Sequence, residues 1–163
     1  MKEQVTLYLD SFITEPGEEE PYRIRQCVKA SYSFRRDSHY LCYREPGKQE
    51  TEYLVVLMAD GVRIKKTGAV QTDMEIFRGR ESDFLYQTPY GSIPAKLSCL
   101  SYDRKEGPEP GVFGAEAFYR LALGGGEPSD FHIRLTARHD EKLLNDEKLL
   151  NMNNTPDEQL RIF

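Results

Sequence analysis

A chain of 163 residues, 39% hydrophobic and 30% charged, is long enough for one folded domain with a substantial core. Its net charge of −5 opposes diffuse attraction to nucleic-acid phosphates or anionic lipid, so neither a nucleic-acid nor a membrane partner is expected. No run approaches the ~20 apolar residues of a membrane-spanning helix. Asp10 interrupts the only candidate leader segment, so a cytoplasmic location is expected.

The residue types favour strands, with ten Tyr, eight Phe and recurrent Val, Ile and Thr. Val5, Leu7 and Leu9 alternate with Thr6, Tyr8 and Asp10, the period of a half-buried strand. The acidic EPGEEEP stretch from Glu15 to Pro21 is a solvated hairpin loop. A long second strand follows, with Tyr22, Ile24, Val28, Ala30, Tyr32 and Phe34 on one face and Arg23, Arg25, Cys27 and Lys29 on the other. Turns at Arg35–Ser38 and at EPGKQE enclose HYLCYRE, and TEYLVVLMA follows.

From Gly61 to Leu100 four strand-like runs come in quick succession. Val62 and Ile64 share a face with Lys66. Thr72, Met74 and Ile76 oppose Asp73 and Glu75. Phe84, Tyr86 and Thr88 share a face, and Ile93, Ala95, Leu97 and Cys99 alternate with Ser92, Lys96 and Ser98. Pro94 cannot donate to a ladder, which predicts an edge, a bulge or a bend there. Two further strands, Phe113–Leu123 and Phe131–Arg138, flank GGGEPS. About ten strand segments with short links predict a single all-β, antiparallel up-and-down barrel over residues 1–138, with a two-sheet sandwich as the alternative. Residues 139–163, containing DEKLLN twice in succession, read as a short irregular or weakly helical C-terminal tail.

The chain carries no phosphate-binding glycine fingerprint, no GxSxG elbow and no metal-ligand spacing among His39, His132 and His139. No catalytic residue, metal or cofactor is assigned. Cys27, Cys42 and Cys99 have no CxxC spacing and are expected as free thiols. A turn at Arg36–Asp37 sets Cys42 opposite Ser31 or Tyr32, well away from Cys27. The basic stripe Arg23, Arg25, Lys29 reads as a solvated outer face.

The informative anomaly is polar side chains on apolar faces: Lys66 beyond Val62 and Ile64, Tyr86 and Thr88 beyond Phe84, and Tyr119 between Ala117 and Leu121. An ammonium or phenol directed into a barrel needs a partner to offset desolvation. With Met74 these residues form the candidate ligand-binding set: Lys66, Met74, Tyr86, Thr88 and Tyr119.

Lys66 to Gly79 (KTGAVQTDMEIFRG) and Leu85 to Leu100 (LYQTPYGSIPAKLSCL) resemble the signature region of the YwiB-like proteins, a bacterial family without an established activity. The matching features are Lys66 shortly before Gly68, Phe77 with Gly79, and the turn Tyr86-Gln87-Thr88-Pro89-Tyr90-Gly91. The resemblance implies a small cytoplasmic protein with a calycin (lipocalin-like) barrel and supplies no catalytic residues. The expected function is a binding module for a small apolar or amphipathic ligand, as monomer or homodimer. The alternative is an interaction protein whose barrel is filled by its own side chains, and an enzyme ranks third.

Overall fold

The computed structural model describes residues 3–45, 47–107 and 110–140. They form ten strands: β1 (Glu3–Thr14), β2 (Tyr22–Arg35), β3 (Ser38–Glu45), β4 (Lys48–Leu57), β5 (Gly61–Thr67), β6 (Thr72–Phe77), β7 (Glu81–Thr88), β8 (Gly91–Glu106), β9 (Val112–Leu123) and β10 (Ser129–His139). All belong to one antiparallel sheet of order β6-β5-β4-β3-β2-β1-β10-β9-β8-β7. Every neighbour in that order is also a neighbour in sequence, except that β1 pairs with β10, from Val5 opposite His139 to Thr14 opposite Asp130. The two outermost strands, β6 and β7, then meet through one pair, Gln71 and Gln87, whose N–H groups donate to each other's carbonyls at 2.8 and 2.9 Å. The result is a nearly closed up-and-down barrel rather than a sandwich.

Strand alternation decides what the barrel holds. Val5 and Leu7 of β1, Leu41 of β3, Val55 and Leu57 of β4, Val62 of β5, Ile76 of β6 and Leu97 of β8 are all at most 1% exposed. Each such side chain contributes roughly 1.5–3 kcal/mol by burial. This band fills one half of the interior. Its end of the barrel is sealed by rings: His39 stacks on Phe113 at 4.1 Å, and the Tyr32 hydroxyl lies 2.7 Å from His39 Nδ1. Tyr102 Oη donates to the Met58 carbonyl at 2.6 Å, tying β8 to the β4–β5 turn. Burial holds His39 below the usual histidine range, so its ring serves as a neutral plug.

The β2–β3 hairpin turns at Arg36 and Asp37, with φ of 52° and 60°. Left-handed backbone costs a non-glycine residue roughly 1–2 kcal/mol. Arg104 of β8 offsets the strain by donating to the Asp37 carbonyl at 2.7 Å and to its carboxylate at 3.3 Å. The turn sets Cys42 opposite Ser31, as the register argument required, and all three cysteines are free.

Pro94 lies at a local edge, one of the three outcomes expected for it. It sits within β8 opposite Leu85, and its carbonyl accepts from Gly124 N–H at 2.8 Å. The side that lacks an N–H therefore points where β9 has already run out into its hairpin, and no bulge is needed. The bulge in β8 lies instead between Cys99 and Ser101, leaving Leu100 on the outside at 56% exposed.

On the outer wall the basic stripe is neutralised by ion pairs. Arg23 and Arg25 share Asp10 at 3.0 and 3.3 Å, and Lys29 holds Asp140 at 3.0 Å. Glu116 accepts from Lys105 and His132, which pull its carboxyl down to about 2. Asp140 also accepts from Thr6 Oγ1 at 3.1 Å. Nearly all of the duplicated DEKLLN segment and the rest of the tail lie outside the described residues. Among the described residues no helix is long and apolar enough to cross a membrane, and no cluster of three His, Cys, Asp or Glu side chains is arranged to hold a metal.

Gly114 is fixed by close strand approach: a methyl group there would collide with the backbone carbonyl of Leu135. Gly114→Ala is expected to lower stability by roughly 1–3 kcal/mol, the usual cost of overpacking. Urea unfolding midpoints measure it, and a midpoint equal to that of the parent protein would refute the close approach.

Candidate functional site

The second half of the interior is built differently. Cross-strand register places Tyr43 of β3 opposite Tyr53 of β4, Tyr53 opposite Lys66 of β5, and Lys66 opposite Thr72 of β6. Continuing the Gln71–Gln87 pairing by one residue brings Tyr86 of β7 beside Thr72. Five polar side chains thus form one belt around the inner wall. The level below it, Leu41, Val55, Ile64 and Met74, is apolar and grades into the packed core.

The belt has internal chemistry. The rings of Tyr43 and Tyr53 stack at 5.0 Å and 8°. The Tyr53 hydroxyl donates to Glu45 Oε1 at 2.9 Å, and Glu45 is only 2% exposed. Burial, followed by the bond to Glu45, pushes the Tyr53 phenol far above its ordinary range, so it remains a donor at any physiological pH. Lys66 Nζ lies 5.5 Å from the centre of the Tyr53 ring, close enough for a cation–π contact. The lysine is half-buried, and Tyr86 is near enough to raise the Tyr53 phenol further by its charge.

The wall across the barrel is apolar. In a ring of ten strands β9 stands five places from β4, opposite it. There Leu121, Phe131 and Phe84 pack against the core edge, while Ile93 and Leu123 are 39% and 41% exposed on inward-facing positions. The two sides of this half therefore differ in chemistry, hydroxyl-bearing and charged on one and hydrocarbon on the other.

Of the five residues read from sequence, the structure brings three together: Lys66 and Tyr86 in the belt and Met74 one level below. Thr88 lies further out and its hydroxyl is committed to its own turn, donating to the Gly91 carbonyl at 2.9 Å and accepting from Tyr90 N–H at 3.1 Å. Tyr119 points inward but stands apart, stacked on Phe131 at 4.9 Å and 4% exposed. Sequence reasoning missed Glu45, Tyr43 and Tyr53. The alternation Leu41–Tyr43–Glu45 carried the signal, but a glutamate beside Pro-Gly reads as part of a solvated turn.

An all-β, ten-stranded up-and-down barrel with a polar belt on its inner wall is the class of protein these strands define. The chain belongs to the family described as Domain of unknown function (DUF1934), whose model matches residues 9–135. Among solved structures it is similar to the YwiB protein from Bacillus subtilis, with a TM-score of 0.72 and 19% identity over 85% of this chain and 92% of that one. At that identity the likeness shows the fold, and together with the family match it bears out the YwiB-like resemblance read from the central strands. No curated protein matches the chain.

Tyr53→Phe deletes the donor to a buried carboxylate. The variant is expected to be about 1–3 kcal/mol less stable, the cost of removing one donor from a buried acceptor. Equilibrium unfolding of parent and variant measures the difference; a change within error would mean that another donor replaces the phenol at Glu45.

Proposed function

We propose that the protein is a binding module that takes a small amphipathic molecule into the open half of its barrel. Lys66 and Tyr86 anchor the polar end, and Met74, Ile64 and Phe84 contact the apolar end. The observation that carries this reading is the inward Lys66: among the described residues its ammonium makes no hydrogen bond or ion pair, only a contact with the face of the Tyr53 ring. A half-buried ammonium with so little compensation has free capacity for an acidic group. On the same reading the protein works in the cytoplasm, as a monomer or homodimer, without nucleic acid and without catalysing a reaction.

A second reading is favoured by the packed half. Eight large side chains at most 1% exposed show that the fold can fill its own interior. On that reading the barrel is a scaffold and its partners meet the outside. Native mass spectrometry of freshly purified protein separates the two, because a co-purifying small molecule is expected only of a container. For an acidic ligand so identified, Lys66→Met is expected to weaken binding by about 1.5–3 kcal/mol, the worth of a hydrogen bond to a charged group. Unchanged affinity would remove Lys66 from the site.

A further inference from the structure

The seam between β6 and β7 is more than an imperfection in closure. At Gln71 both the N–H and the C=O point across the seam, so by strand alternation those of Asp73 and Glu75 do as well. The same alternation from Gln87 directs Leu85 and Asp83 toward β6. Yet the strand-type pairing across the seam stops at Gln71 and Gln87. Beyond it the join consists of Ser82 Oγ donating to the Glu75 carbonyl at 3.0 Å and the turn bond from Arg80 N–H to the Phe77 carbonyl at 3.0 Å.

A cleft of about 310 Å³ opens there, and its lining mixes the two faces of the sheet. Lys66, Thr72 and Phe84 are inner-face residues, whereas Lys65, Asp73 and Leu85 belong to the outer face. The cleft is thus bounded by residues of both faces of both edge strands and lies in the seam itself. Its charge is lopsided on an acidic chain. Asp73 is spent on Arg63, which grips both its oxygens at 2.8 and 2.6 Å and holds its carboxyl below the usual range. Lys65 stands directly across from Asp73 and adds to the field that holds its carboxyl down, but neither Lys65 nor Lys66 makes a close ion pair among the described residues. Phe84 lines the cleft and also packs against the core, so one apolar side chain links the cleft to the interior.

We propose that this cleft is the entry portal and headgroup site for an anionic amphiphile. The anion lies between Lys65 and Lys66, and the chain passes over Phe84 toward Met74. The inference rests on the container reading and deepens it, by fixing the sign of the headgroup and the route of entry. Electrostatics select the ligand, since two lysines against one carboxylate already gripped by Arg63 favour an anion over a neutral or cationic head of the same size.

The test is calorimetric titration of the intact protein with decanoate, decanol and acetate, below the concentration at which decanoate self-associates. Decanoate is expected to bind at least tenfold more tightly than either decanol or acetate. Lys65→Gln/Lys66→Gln should reduce decanoate affinity at least tenfold and change decanol affinity less than twofold. Lys65→Gln alone, an exposed substitution that spares the interior, should give a smaller loss of the same sign, and Lys65→Arg/Lys66→Arg should retain binding. Decanol binding as tightly as decanoate would overturn the headgroup site and leave the container standing. Acetate binding as tightly as decanoate would reduce the cleft to a bare anion site and overturn the amphiphile. Failure of both ten-carbon probes to bind would overturn the portal and the container together.

Discussion

A meander of ten strands has two edges, and this molecule depends on how they meet. The β1–β10 ladder closes nearly all of the ring with continuous backbone hydrogen bonding. What remains is the short β6–β7 seam, held by one strand pair and a turn. A fully zipped barrel would have no lateral opening, and a fully open one would expose two unpaired edges to other chains. The intermediate state hides both edges by facing them toward each other while leaving a breach beside Lys66.

The interior follows the same division. Toward the termini and the β2–β3 turn, fully buried aliphatic side chains and the Tyr32–His39–Phe113 rings pack the interior, and their burial is a major support of the fold. Toward the opposite rim the inner wall becomes polar from β3 to Tyr86 of β7 and more apolar on β8–β10. The packed band and the polar belt therefore lie at different levels of the same strands. On the proposed reading, a substitution in the belt alters the ligand site without removing the packed band beneath it.

Much of this was legible in the sequence. Period-two alternation from Val5, Tyr22, Val62, Met74, Ile93 and Phe131 gave the strands, and the turn at Arg36–Asp37 gave the register that separates Cys27 from Cys42. The inward placement of Lys66 and Tyr86 followed from alternation alone. Other features depend on distant pairing and were not readable. Pro94 could be read only as an edge, a bulge or a bend, because the sequence does not show that β9 ends beside it. Glu45 looked solvated because the stacked tyrosines that bury it become neighbours only across the β3–β4 register. Thr88 looked like a barrel-lining group because nothing in its alternation shows that its hydroxyl caps its own turn. The seam itself has no local signature, since β6 and β7 read as ordinary adjacent strands until the ladder between them is found to be missing.

Hydrogen exchange resolved to single amides tests the central claim most directly. If the sheet closes everywhere except at the seam, the amides of Asp73, Glu75, Asp83 and Leu85 exchange orders of magnitude faster than their alternating neighbours Met74 and Phe84. They also exchange faster than the amides of the β1–β10 ladder. Equal and strong protection at all of these positions would mean that β6 and β7 are zipped together, and would contradict both the breach and the site built around it.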